Sequence, residues 1–159
     1  MLFLTHICFA LLIGLIGIQI FPASKFSFLI FVLVGSVIPD IDNPRSKLGK
    51  KLPVISHIIK YTLGHRGFFH SFWLLFIIPA LIYFFVNKTI GIAIFVGYFS
   101  HLFLDSLTIS GVKYFYPFPF FKISGMVRTG SFMEKIFQFL LIISIIICVY
   151  IIYIKRYIF

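Results

Sequence analysis

Apolar residues fall in five blocks, at 2–21, 26–38, 72–86, 90–107 and 132–154, separated by shorter polar or basic stretches. Crossing a bilayer as a helix takes about 20 such residues. The blocks predict an all-α fold, a polytopic membrane helical bundle of about five hydrophobic helices, forming a single integral membrane domain over residues 1–159. The second block has only 13 residues, so it is expected to extend through Asp42, to tilt, or to stop at a polar cavity enclosed by protein. Pro79 is expected to kink the third helix, because an internal proline removes a backbone hydrogen bond. The first block lacks the basic start of a secretory signal and has a poor cleavage site after it. Cleavage would also discard His6, so the block is read as a retained helix.

Composition supports the membrane reading. The chain is 61% hydrophobic, 20% aromatic and 11% charged, with mean hydropathy +1.12, against about 25% charge in soluble domains. The net charge of +10 fits lysine- and arginine-rich cytoplasmic loops. Without a long basic run or a base-stacking module, no nucleic-acid partner is expected. Five crossings place loops 43–64 and 108–130 on the side of the N-terminus. These carry Arg45, Lys47, Lys50, Lys51, Lys60, Lys113, Lys122 and Arg128, against Lys25, Lys88, Lys155 and Arg156 opposite. The positive-inside rule then predicts a multi-pass cell-membrane protein with its N-terminus and both long loops in the cytoplasm. Cys8 and Cys148 are far apart without CxxC spacing and read as core or lipid-facing thiols.

Against this background the scarce ionisable groups are concentrated. Three of four acids lie in Pro39-Asp40-Ile41-Asp42 and His101-Leu102-Phe103-Leu104-Asp105. Four of five histidines are His6, His65 and His70 of His65-Arg66-Gly67-Phe68-Phe69-His70-Ser71, and His101. Such groups inside a membrane are costly and mark function. In the expected topology all of them meet at the cytoplasmic leaflet, with His101 about 9 Å inside its helix end. His101 and Asp105 are i and i+4 on one helix face, a spacing that suits a shared divalent cation or a hydrogen-bonded pair. Asp40 is the better ligand of its motif, whereas Asp42 fits a turn cap equally well. Arg66 fits a phosphate contact or a snorkelling cation. His57 is expected to be solvated or interfacial, and Glu134 completes a capping box with Ser131, a role at the site being the lesser alternative.

The run VIPDIDNPRSKLGKK, then GHRGFFHS, GYFSHLFLDSLTISGV, YPFPF and TGSFMEK, resembles the YdjM family of membrane-bound metal-dependent hydrolases from His6 to Glu134. That resemblance implies hydrolysis without defining a substrate. More distantly, the order of His, Asp, His and HxxxD is similar to the all-helical zinc-dependent phospholipase C and P1-type nuclease group. By that likeness His6, Asp40, one of His65 and His70, His101 and Asp105 would ligate metal. The chain has no histidine after His101, which favours one or two ions over three. With N/O donors, Zn²⁺ is expected first and Mn²⁺ second.

The chemistry that fits is metal-assisted hydrolysis, with Asp40 or Asp42 as base and Arg66 stabilising phosphate charge. An interfacial site suits an amphiphilic phosphoester, such as a phospholipid or prenyl-phosphate ester, and membrane lipids are the expected partners. The alternatives are a metal-ion or proton-coupled transporter, and a structural or regulatory membrane protein with a stabilising metal. Oligomeric state is left open.

Overall fold

The computed structural model describes residues 1–21, 25–63, 67–118 and 121–158. It is predominantly helical, with seven α-helices among the described residues. These are α1 (Phe3–Gly17), α2 (Lys25–Gly35), α3 (Lys47–Lys51), α4 (Pro53–Leu63), α5 (Phe72–Phe85), α6 (Lys88–Ser106) and α7 (Phe132–Ile158). Short 3-10 turns at Ile38–Asp42 and Phe68–His70 interrupt the series.

A helix occupies each of the five apolar blocks. Two are long and apolar enough to cross a membrane, α6 and residues Phe132–Ile154 of α7, while α1 and α5 are shorter apolar helices. The second block stops early, as α2 has 11 residues. Ser36 turns its hydroxyl back to the Leu33 carbonyl, and Pro39 enters the 3-10 turn at its start. Proline lacks the N–H that would continue an α-helix and disfavours helical geometry in the residue before it. The chain therefore leaves the helix just where Asp40 and Asp42 occur. α5 runs through Pro79, which is buried.

The stretch 43–64, expected as a basic loop, contains two helices instead. Ser46 caps α3 by accepting from the Gly49 N–H at 2.8 Å, and α4 opens on Pro53, whose missing N–H costs nothing at a first helical position. Stretch 108–130 also departs from the all-α expectation. A small antiparallel hairpin pairs β1 (Val112–Lys113) with β2 (Lys122–Ile123). The Phe72 N–H and Trp73 indole donate to Tyr114 and Tyr116 carbonyls at 2.9 Å each, pinning this loop over the start of α5.

α6 is the centre of the bundle and contributes to both apolar clusters. Ala93 packs with Ala10, Leu15, Ile18, Phe28 and Val32 of α1 and α2 and the turn after α1. Tyr98 and Leu102 pack with Leu75, Val112 and Tyr114. Backbone meets backbone between α2 and α6, because a Cβ at Gly97 would overlap the Val32 carbonyl oxygen and one at Gly35 would lie 2.5 Å from the Ile94 oxygen. α7 lies outside, against α1.

Candidate metal centre

Four elements carry ionisable side chains to the end of α6. Its last two turns present His101 and Asp105 on one face. The first turns of α1 supply His6, the 3-10 turn after α2 supplies Asp40 and Asp42, and the turn before α5 supplies His70. His6, Asp42, His70, His101 and Asp105 are all buried, and Asp40 keeps 20% of its side chain exposed.

Asp105 is the hub. Its Oδ1 lies 3.3 Å from His6 Nε2, and its Oδ2 lies 3.6 Å from His70 Nε2 and 3.9 Å from His101 Nε2. His101 Nε2 is also 3.9 Å from Asp40 Oδ1. The Met1 amine donates to Asp105 Oδ1 at 2.6 Å. The His6 contact at 3.3 Å is a long hydrogen bond, and those at 3.6–3.9 Å are beyond ordinary hydrogen bonds. They are close to the separation of two donors that share one ion at about 2.0–2.2 Å each.

Two of the imidazoles are held from behind. His101 Nδ1 lies 2.7 Å from the Ser36 carbonyl oxygen. A carbonyl can only accept, so Nδ1 carries the proton and Nε2 turns its lone pair into the cluster. His70 Nδ1 lies 3.0 Å from Asp42 Oδ2, which orients Nε2 toward Asp105 in the same way. A carboxylate or carbonyl behind a histidine is the usual outer support of a metal ligand. The rings of His6 and His101 stack at 3.9 Å with 9° between planes.

The donor set fits a divalent cation. His6, His101 and Asp105 each offer a ligand atom within 4.8 Å of the others. Among the described residues His101 Nε2 and His6 Nδ1 have no hydrogen-bond partner. The orphaned His101 nitrogen faces the buried Asp105 carboxylate, and leaving it unpaired costs free energy that an ion would recover. The identity of the metal does not follow from these residues, since imidazole and carboxylate suit several divalent ions. Burial pushes the Asp40 carboxyl above the usual carboxylate range. His6 and His70 oppose the shift, while Asp105 and Asp42 add to it.

The sequence-predicted residues thus divide three ways. His6, Asp40, His70, His101 and Asp105 converge, and Asp42 lies behind His70. His65 and Arg66 lie outside the described residues. His57 is exposed on α4, with Nδ1 2.7 Å from the Pro53 carbonyl, away from the cluster.

Two further groups support the centre. The Ser36 carbonyl could not have been found, because a backbone acceptor has no signature in sequence. Glu134 reads from the sequence as half of a capping box first and as a residue of the site second. Ser131 Oγ does accept from the Glu134 N–H, at 3.4 Å, but the carboxylate reaches past Ser131 to the Gly130 N–H at 2.7 Å. It also accepts from the Leu2 N–H at 2.6 Å and the Thr5 hydroxyl at 3.0 Å. This fully buried carboxylate therefore ties the start of α7 to the start of α1, one residue from His6. Two helix N-termini converge on its charge, which stabilises the anion.

The family model described as YdjM inner membrane protein matches residues 1–158. YvsG, an uncharacterized protein of Bacillus subtilis (strain 168), is 38% identical over 110 residues, covering 65% of this chain and 66% of the relative. Inner membrane protein YdjM of Escherichia coli (strain K12) is 38% identical over 91 residues, 54% of this chain and 46% of the relative, and that of Shigella flexneri matches equally. The chain thus spans from about half to just under two thirds of the length of these relatives. No solved structure matches the chain at a significant level. A motif set that brings its histidines and carboxylates to one buried point, and a match running from end to end, place this chain in the YdjM inner membrane protein family.

Proposed function

We propose that this protein is a membrane-bound metal-dependent hydrolase. It binds one divalent cation, Zn²⁺ before Mn²⁺, and cleaves a phosphoester of an amphiphilic substrate at the cytoplasmic face. The observation that carries the reading is Asp105 facing three histidine Nε2 atoms at 3.3–3.9 Å in a buried cluster. His6, His70, His101 and Asp105 would hold the ion, with Asp40 beside it at the open position. When bound, it would supply Lewis acidity and a water of lowered pKa.

The remaining roles belong to the chain's own side chains. Asp42 and the Ser36 carbonyl keep His70 and His101 in the tautomer that leaves Nε2 available. Asp40 is the partly open member, so water and substrate approach beside it. A carboxyl already pushed toward its neutral form by burial is suited to receive a proton there. Arg66, carried in the segment that leads to His70, is assigned to phosphate charge. The wider frame of the proposal is one domain of about five helices across the membrane, with the N-terminus and the metal-site end in the cytoplasm.

A second reading has an observation of its own. His6, His101 and Asp105 are almost wholly enclosed, as in a closed structural site. The two readings part at Asp40, through which a catalytic centre would keep an open position. Metal analysis and a hydrolysis screen over phospholipids and phosphodiesters, on the same preparations of wild type and Asp40→Asn, distinguish them. An enzyme loses turnover in the variant while keeping most of its metal. Stoichiometric metal with no metal-dependent hydrolysis in the wild type selects the structural reading, and metal-coupled flux in proteoliposomes selects a transporter.

A further inference from the structure

Away from the metal centre, two grooves meet on the outer surface at Val37 and Leu48. The larger, about 480 Å³, lies between α1, α2 and α3 and is lined by Ile7, Leu33, Val34, Val37, Ile38 and Leu48. The smaller, about 170 Å³, continues it past Phe3 to Lys47 and Lys51. The combined channel is hydrocarbon at one end and doubly cationic at the other. Lys47 and Lys51 stand four residues apart on α3 and share a face, and Lys47 Nζ sits 4.3 Å from the Phe3 ring centroid.

The chain has no acid to spare for these ammonium groups. It holds four acids in all. Asp40, Asp42 and Asp105 lie within the metal centre, and Glu134 is occupied by the starts of α1 and α7. With these side chains committed elsewhere, an anionic group from outside the chain is the complementary partner for the two exposed lysines.

Depth in the membrane says what carries that charge. α4 packs beside α3 and the turn at Ile38–Asp42. Its 11 residues are too few to cross a bilayer. Val54, Ile58 and Tyr61 share one face and are 69%, 57% and 87% exposed, with His57 and Lys60 along its flank. A short helix with an exposed apolar face flanked by lysine suits the plane of the interface. That places neighbouring α3 at the level of lipid headgroups.

We propose that the groove between α1, α2 and α3 is a binding site for an anionic phospholipid. One acyl chain lies along Ile7, Leu33, Val34 and Ile38, and the headgroup phosphate sits at Lys47 and Lys51. The site does not depend on the hydrolase reading, because the groove holds the lipid whether or not the metal centre acts on it.

The test uses the full-length protein, stripped of lipid in detergent, and native mass spectrometry with phosphatidylglycerol and phosphatidylcholine of identical acyl chains. Phosphatidylglycerol should bind about tenfold more tightly or better, since each lysine near an anionic headgroup adds its own increment. Lys47→Gln with Lys51→Gln should abolish that preference and leave phosphatidylcholine unchanged. Val34→Trp should weaken both lipids by filling the channel. Phe84→Ala, in a separate groove beside α5 and α6, should change neither, and thermal unfolding checks that each variant is folded. Equal affinity for the two lipids, or wild-type phosphatidylglycerol binding in the double lysine variant, overturns the proposal. So does displacement of the lipid by an equal concentration of inorganic phosphate, which would show an anion site without a tail. Dimers that exclude lipid would assign the groove to a second copy of the chain instead.

Discussion

α6 and α7 are the two helices of membrane-spanning length, and they are used in opposite ways. In the most apolar stretch of α6, 61% of residues are buried, against 6% in α7. The more hydrophobic helix is the exposed one, with mean hydropathy 2.7 against 1.4. In water the reverse would hold. In lipid, apolar side chains gain nothing by turning inward, so small and polar residues go to helix contacts instead. α6 accordingly spends Gly97, Ser100, His101 and Asp105 on the interior. Among the described side chains of α7 only Glu134 and Leu141 are buried. The lesson is that hydropathy finds a membrane helix, while polar interruptions say which helix is central.

That contrast can be broken in graded ways. The largest effect is expected at the hub. Asp105→Ala and His101→Ala should each lower bound metal by about two orders of magnitude or more, because losing a donor outright exceeds the roughly 10–100-fold cost of losing a group that only supports one. Ile147→Ala on the exposed face of α7 should leave metal content unchanged. If the α7 variant lost metal as fully as the α6 variants, the division between the helices would fail.

Asp42→Asn comes next. It keeps the size of the side chain but weakens the support of His70, so metal affinity should fall about 10–100-fold. Competition with a chelator measures this. An unchanged affinity would remove Asp42 from the centre and return it to a turn-capping role.

Packing effects are smaller. Gly97→Val should destabilise the protein by about 1–3 kcal/mol, since no rotamer avoids the Val32 carbonyl. Val149→Leu on α7 should stay within about 0.5 kcal/mol. Thermal unfolding in one detergent compares the pair, and equal shifts would deny that α6 is the close-packed helix.

Glu134→Gln tests the one place where α7 takes part. The variant exchanges a charged acceptor for a neutral one at the junction with α1, and should cost about 1–3 kcal/mol. A modest loss of metal affinity should accompany it, because Thr5 precedes His6. A stability loss with wild-type metal affinity would make the junction structural alone.

How much was legible beforehand differed by region. The blocks at 90–107 and 132–154 became α6 and α7 nearly residue for residue, because both are long, apolar and flanked by polar residues. The block at 26–38 ended at Gly35, for Ser36 and Pro39 outweigh the apolar side chains of Val37 and Ile38. In 43–64 the lysines suggested an open loop, yet Ser46 and Pro53 are ordinary helix-start signals that mattered more. At the centre, the spacing of His101 and Asp105 was readable because i and i+4 share a face on any α-helix. The pairing of His70 with Asp42 spans 28 residues and has no local period to reveal it.

By itself the sequence determined the membrane setting, the helical class and the small set of residues able to bind a metal. Those follow from side-chain chemistry and from short-range periodicity, which every α-helix obeys. Only the tertiary structure decided that Asp105 faces His6, His70 and His101, that Ser36 and Asp42 stand behind two of those rings, and that Glu134 joins α7 to α1. Such contacts arise where separate helices close on one another, at distances along the chain that no local pattern encodes. Their geometry depends on how closely two backbones can approach, as they do where Gly35 and Gly97 let α2 settle against α6.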